Sequence, residues 1–225
     1  MPATSTQIQQ DFDRLADFSD EHWGHNNHYH PFLLRHLPAA SEMDALDIGC
    51  GTGAFARLLA QRFRRVLALD LSPRMIEMAK ERSQGLANID YQVGDVMDYP
   101  LPAAQFGCVA SIATLHHMPL EPILAKIKQA LAPEGVLLVL DLYKAAAPTD
   151  YAMSAVAIPV TLALKWLKNG RIRETAEARA AWEAHGATDV YLPLSEVRAV
   201  AERVMPRAQV VRHLLFRYSL VWKKK

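Results

Sequence analysis

Three kinds of residue in this chain are spaced in ways that point to chemistry. Asp47 closes a short apolar run and is followed by Gly49, Cys50, Gly51 and Gly53, in the stretch ALDIGCGTG. Alternate glycines let the backbone turn sharply and let a ligand lie against it, and the helix-forming AFARLLA that follows opens with unpaired N–H groups. A small polar ligand is the expected occupant. Gly49, Gly51 and Ala54 also satisfy the G-x-G-x-x-G/A pattern of dinucleotide sites, so the glycines alone leave the ligand open. Asp70, Asp95 and Asp141 recur at or just past the ends of apolar runs, where acids serve as turn residues, caps or ligand contacts. His116 and His117 follow the run from Cys108 to Ile112. Imidazole is the natural base near neutral pH, and it is equally a group that bonds to backbone and packs against a ligand.

Five of the nine histidines (His22, His25, His28, His30 and His36) fall in one stretch, EHWGHNNHYHPFLLRHLP. His22, His25 and His28 have the spacing of one helical face. The neighbourhood nevertheless has no cysteine, lacks the glutamate of a zinc-protease motif, and is interrupted by Gly24 and Pro31, so no metal is expected. Two readings remain. Trp23, Tyr29, Phe32 and Leu33 cover the core while the polar residues face solvent, or His25, Asn26, His28 and Tyr29 form a lid that offers donors and acceptors to a ligand.

A chain of 225 residues suffices for one α/β domain with an insertion. The net charge of +1 gives no general electrostatic case for nucleic acid or an anionic membrane, and neither is expected as a partner. Cys50 and Cys108 make no disulfide framework and point to a reducing compartment. No secretory signal is visible at the N-terminus. The uncharged stretch Tyr151 to Leu164 is too short for a membrane span and contains Pro159. A cytoplasmic protein is expected, monomeric or homodimeric.

These residues need elements to position them. Ile8, Phe12, Leu15 and Ala16 have helical spacing, predicting an amphipathic helix over 7–18. Strands are predicted at 46–48, 66–70, 89–93, 108–112 and 136–140. Between them lie helices from the glycines to about Phe63, after Pro73 with Met75, Ile76 and Ala79 inward, and over 120–131. Such alternation predicts a parallel sheet with right-handed crossovers, and ligands in such folds sit beyond the carboxyl ends of the strands.

In this order the motifs resemble those of the class I S-adenosylmethionine-dependent methyltransferases, over about residues 41 to 143 and again in the last strands. LDIGCGTG resembles the first motif, whose glycine loop passes beneath the methionine part of the cofactor. The resemblance makes Asp70 the acid that takes both ribose hydroxyls, with Leu71 and Met75 as apolar neighbours of the adenosine. GDVMD resembles the third-strand motif and places Asp95 near the adenine amino group with Val96 beside it; IATLHHM, beginning at Ile112, resembles the fourth. It implies S-adenosyl-L-methionine as cofactor and S-adenosyl-L-homocysteine as product. The fold it implies is α/β and doubly wound, a mostly parallel seven-stranded sheet with helices on both faces and an antiparallel last strand. Val210 to Leu215 and Tyr218 to Trp222 are its final strand pair. The organisation expected is a helical lid over 1–40, the cofactor-binding core over 41–143, a helical insertion over 144–190, and a last helix with two strands over 191–225.

A carboxylate at Asp47, just before the turn, would repel a pyrophosphate, whereas a zwitterionic amino acid and a sulfonium suit it. This places an NAD-dependent oxidoreductase behind the methyltransferase reading. The acceptor is expected to be a small molecule, methylated on a hydroxyl, amine or carbon by in-line displacement. No Pro-Pro-aromatic turn of amino methyltransferases follows the fourth strand, and Cys108 sits inside an apolar strand. His116 and His117 are the candidate catalytic residues, with His28, Tyr29 and His30 second. Met153, Val156, Leu162 and Trp166 either build an apolar acceptor pocket or pack the insertion onto the domain or a partner. A cofactor-binding protein without catalysis is the competing class.

Overall fold

The computed structural model of the chain describes residues 4–19, 22–170, 172 and 175–225. Helix α1 (Ser5–Ala16) opens on a reciprocal cap: Thr4 Oγ accepts from the Gln7 N–H and Gln7 Oε1 accepts from the Thr4 N–H. Two short helices follow, α2 (His25–His28) and α3 (His30–Leu34). Strand and helix then alternate through β1 (Ser41–Ile48), α4 (Ala54–Ala60), β2 (Phe63–Asp70), α5 (Pro73–Arg82), β3 (Ile89–Val93), β4 (Phe106–Ile112), α6 (Leu120–Ala130) and β5 (Leu131–Asp141). The insertion supplies α7 (Pro148–Asn169) and α8 (Ala176–Gly186), and the chain closes with α9 (Leu194–Val204), β6 (Gln209–Arg212) and β7 (Tyr218–Lys223). The exposed helix expected from Arg171 onward begins at Ala176; Arg171, Arg173 and Glu174 lie outside the described residues, as does Glu21 of the histidine-rich stretch.

The strands form one sheet in the order β3-β2-β1-β4-β5-β7-β6, parallel except for β7, which runs antiparallel between β5 and β6. This is the doubly wound, seven-stranded architecture expected. Successive strand residues serve opposite faces: in β5, Leu137 and Val139 pack on α6 and α9 with Ile123, Ile127 and Val197, while Leu138 and Leu140 pack with Phe55, Leu59 and Leu33. Burial on both faces is why β5 reads as an unbroken apolar run from Val136 to Leu140.

Strands β1, β2 and β5 start three or more residues before the apolar runs. The early residues of β1 and β2 include Glu42, Asp44, Arg64 and Arg65 at the far rim of the sheet, where Arg64 pairs with Asp44. β5 begins at Leu131 opposite Phe106, then bulges, so that Cys108 faces Val136. α6 ends at Ala130, close to the Leu131 expected, and Pro133 and Gly135 lie inside β5, at the bulge that conceals the start of this strand.

Candidate active site

A cavity of about 1230 Å³ opens beyond the carboxyl ends of β1 to β4. The glycine turn forms its floor, α1 with residues 22–27 and His30 forms one wall, and the end of α7 with α8 forms the other.

The turn is held by the strands it connects. The N–H groups of Gly49 and Cys50 both donate to the Leu69 carbonyl, at 2.8 and 3.0 Å, and the Gly51 N–H donates to Asp70 Oδ2 at 2.8 Å. Gly49 has φ +67°, and a Cβ there would lie 2.2 Å from Thr114 Oγ1, so only glycine closes this approach between the β1 and β4 ends. We expect Gly49→Ala to lower stability by about 1–3 kcal/mol and to weaken cofactor binding by more than tenfold, as read by thermal melts and calorimetry. Gly51 has φ +50°, and a Cβ there would meet nothing within 4 Å, which leaves backbone open to a ligand. Gly53 differs. It caps α4 in the left-handed conformation, a Cβ there would meet Tyr91 Oη at 2.3 Å, and it is absent from the cavity wall, so it serves helix–strand packing.

Asp70 Oδ1 also accepts from the Ser72 N–H at 2.9 Å, and its buried carboxyl faces the cavity with lone pairs to spare for hydroxyl donors. Burial raises its pKa, and the two backbone N–H bonds partly offset this. Asp95 caps its own turn through the Met97 N–H at 2.8 Å and accepts from Ser5 Oγ at 2.9 Å, tying α1 across the third strand. Cys50, Leu71, Met75, Val96 and Ile112 supply apolar wall between these acids. Asp47 is the exception among them: it is 1% exposed and neither carboxylate oxygen has a hydrogen-bond partner. Burial, and then the Asp70 charge, push its pKa to about 7. An orphaned acid beneath an open glycine turn fits a ligand bearing positive charge. The residues present thus fit the cofactor that the motifs imply.

His116 and His117 lie on a 3-10 turn (Leu115–His117) after β4 and face the same cavity. Asp141, at the end of β5, holds His116 twice: Oδ2 accepts the backbone N–H at 3.0 Å and Oδ1 accepts Nδ1–H at 2.6 Å. Burial alone would lower the His116 pKa, but the Asp141 carboxylate, with Asp189 behind it, raises it. His117 Nδ1 stands 3.4 Å from Asp189 Oδ1, and its buried Nε2 has no partner. Burial and the neighbouring His116 and His185 charges push its pKa down, so it stays neutral. Its ring packs edge-on against Phe12, which also meets His185. Tyr191 donates to Asp189 Oδ2 at 2.6 Å and lies 5.0 Å, centroid to centroid, from His116.

The N-terminal wall divides the histidine-rich stretch. His25, Asn26 and His30 face the cavity; Asn26 Oδ1 accepts from Nε of Arg217, a buried arginine on the same wall. His28 and Tyr29 do not line the cavity: the Tyr29 hydroxyl accepts from the Leu215 N–H at 3.0 Å within the core, and His28 packs on Trp23 and Tyr29. The pocket expected from Met153, Val156, Leu162 and Trp166 is not formed; none of the four lines the cavity, and α7 contributes Lys165 and Asn169 instead. Buried Ala157 sets which face of α7 turns inward, and the apolar excess of that helix concealed it. Phe12, Asp141, Asp189, Tyr191 and Arg217 complete the site without any local motif to mark their roles.

Residues 46–139 match the family model described as a methyltransferase domain. The chain is similar to the malonyl-[acyl-carrier protein] O-methyltransferase of Serratia marcescens, 40% identical over 94 residues, covering 41% of this chain and 36% of that relative. The chain thus aligns with about a third of that relative's length. It is 28% identical over 216 residues to an uncharacterised methyltransferase of Mycobacterium bovis, covering 91% of this chain and 98% of the relative. Among solved structures it resembles the N-methyltransferase NodS of Bradyrhizobium japonicum in complex with S-adenosyl-L-homocysteine, with TM-score 0.62, 17% identity and coverage of 96% and 97%.

Proposed function

We propose that the chain is a class I S-adenosylmethionine-dependent methyltransferase, the class its motifs resemble, and that it methylates a small molecule with an apolar body on an ionisable hydroxyl. The observation that carries this reading is the His116–Asp141 pair, because an imidazole fixed at Nδ1 by a buried carboxylate leaves Nε2, 3.7 Å from Asp189 Oδ2 in the cavity wall, as its base nitrogen. The cofactor supplies a methyl group already activated on a positively charged sulfur.

The remaining work falls to the chain's residues. Asp70 and the Gly49–Gly51 turn bind and orient the cofactor, and Asp47 places negative charge beneath it. His116 takes the acceptor's proton at Nε2, and Asp141 stabilises the imidazolium that results. His117, neutral and packed on Phe12, shapes the wall beside it. Phe12, Trp23 and Trp182 give the cavity apolar surface that excludes water from the proton transfer. The name of the Serratia relative, an O-methyltransferase, supports oxygen as the target atom.

The test is an acceptor panel of apolar phenols, enols and carboxylic acids beside matched amines, incubated with purified protein and S-adenosylmethionine and read by mass. Methyl transfer to a hydroxyl member, lost in His116→Ala while S-adenosylhomocysteine binding persists, is the expected result. Transfer only to amines would overturn the oxygen assignment. Tight cofactor binding with no acceptor turned over would favour the non-catalytic class.

A further inference from the structure

Helix α7 is apolar on nearly every side, yet only one of its faces is covered. Ala157 is buried, and Val160 and Leu164 pack on the core beside α3 and β5. The opposite side carries two adjacent exposed rows at helical spacing. Tyr151, Ala155, Ile158, Leu162 and Trp166 form one; Ala152, Val156, Pro159, Ala163 and Leu167 form the other. Trp166 is 60% exposed and Leu167 67%. A helix this apolar is ordinarily buried, so the open face calls for a cover.

We propose that this face docks on an anionic lipid surface, with α7 lying flat at the headgroup level. Three observations select that occupant. From Tyr151 to Leu164 the helix carries no charge, and the cations Lys165 and Lys168 follow at its end; over 144–174 the sequence holds five basic residues against two acids, of which Asp150 is already paired with Arg212. Aromatic residues that favour a membrane interface, Tyr151 and Trp166, stand toward the two ends of one row. The patch also runs into the cavity mouth: Ile172 and Trp182 are each 45% exposed and both line the cavity, as do Lys165 and Asn169. An apolar acceptor dissolved in the bilayer then enters the site from the membrane side, a route that a second copy covering the same face would obstruct. No described helix is long and apolar enough to cross a membrane, consistent with a surface-lying element. The whole-chain charge behind the expectation of no membrane partner does not register a single face.

Flotation of the full chain with vesicles of phosphatidylcholine, and of phosphatidylcholine mixed with phosphatidylglycerol, tests this. Binding should be stronger to the mixed vesicles, weaken at high salt, and fall at least about tenfold in Trp166→Glu and in Ile158→Glu. Both substitutions are at exposed positions off the cavity wall, so melting temperature and S-adenosylhomocysteine binding should be unchanged. That cofactor readout separates failure here from failure of the methyltransferase reading. Absence of vesicle binding by the unaltered protein, or binding that the variants leave intact, would overturn the proposal. A dimer in sedimentation equilibrium that Trp166→Glu dissociates, without vesicle binding, would overturn it in favour of a second copy.

Discussion

His116→Ala is expected to lower kcat by about 10²- to 10⁴-fold with little change in S-adenosylmethionine affinity, the range for losing a positioned general base. On the proposed reading His116 stands on the acceptor side, fixed by Asp141, while the acids proposed to hold the cofactor lie on the glycine turn and at the β2 and β3 ends. A base must be neutral to act, so activity should rise with pH through the His116 pKa, which its carboxylate partners hold above the ordinary histidine value. Asp141→Asn removes the negative charge and leaves an amide beside Nδ1, so the rising limb should move to lower pH while kcat falls. A merely structural Asp141 would change stability without moving that limb. If His116→Ala retains the same rising limb at unreduced kcat, the base is another group.

The second large effect concerns Asp47, and its sign is unusual for a carboxylate. Its folded pKa of about 7 lies above the ordinary carboxylate value, so its stabilising contribution is complete below about pH 4 and is lost as pH rises through 7. A shift of about 3 units corresponds to about 4 kcal/mol, withdrawn from the cofactor-free protein across that window. Asp70, raised in the same direction, adds to the slope. A cationic amino group brought beneath the turn favours the ionised acid. S-adenosylhomocysteine affinity should therefore rise between pH 5 and 7, by up to about tenfold per unit. Asp47→Asn keeps the shape but not the charge. An unpaired amide costs about 1–3 kcal/mol, so the variant without cofactor should be at least as stable as the parent at pH 8, with a flat affinity profile and at least about tenfold weaker binding. A parent profile that is already flat would show that Asp47 does not answer to the ligand.

The sheet could be read from the chain because parallel strands buried on both faces announce themselves as continuous apolar runs, as Val136 to Leu140 does. What stayed hidden lies where charge meets the rim: Arg64 and Arg65 belong to β2, and nothing in their side chains signals a strand. The glycine-turn half of the candidate site could be read for a similar reason, since a glycine turn and a strand-end acid are local in sequence. The acceptor half is assembled from residues far apart. His116 and Asp141 are 25 positions apart, and Arg217 meets Asn26 across 191. Asp189 follows α8 in a segment that carries no motif, and only the packing of α1, α8 and the β4 turn brings it to the histidines.

The position of β7 has a consequence for how the chain is made. β5 lies inside the sheet, and its edge away from β4 is covered by β7, through the pairings Val136 to Lys223 up to Asp141 to Tyr218. On the ribosome that apolar edge is complete roughly 80 residues before its covering strand, an interval of about 4–16 s at ordinary rates of synthesis. Unpaired hydrophobic edges are templates for pairing with other chains. Yield of soluble protein should therefore depend on elongation rate and on chaperone supply during the translation of α7 to β6, even if the finished fold is stable.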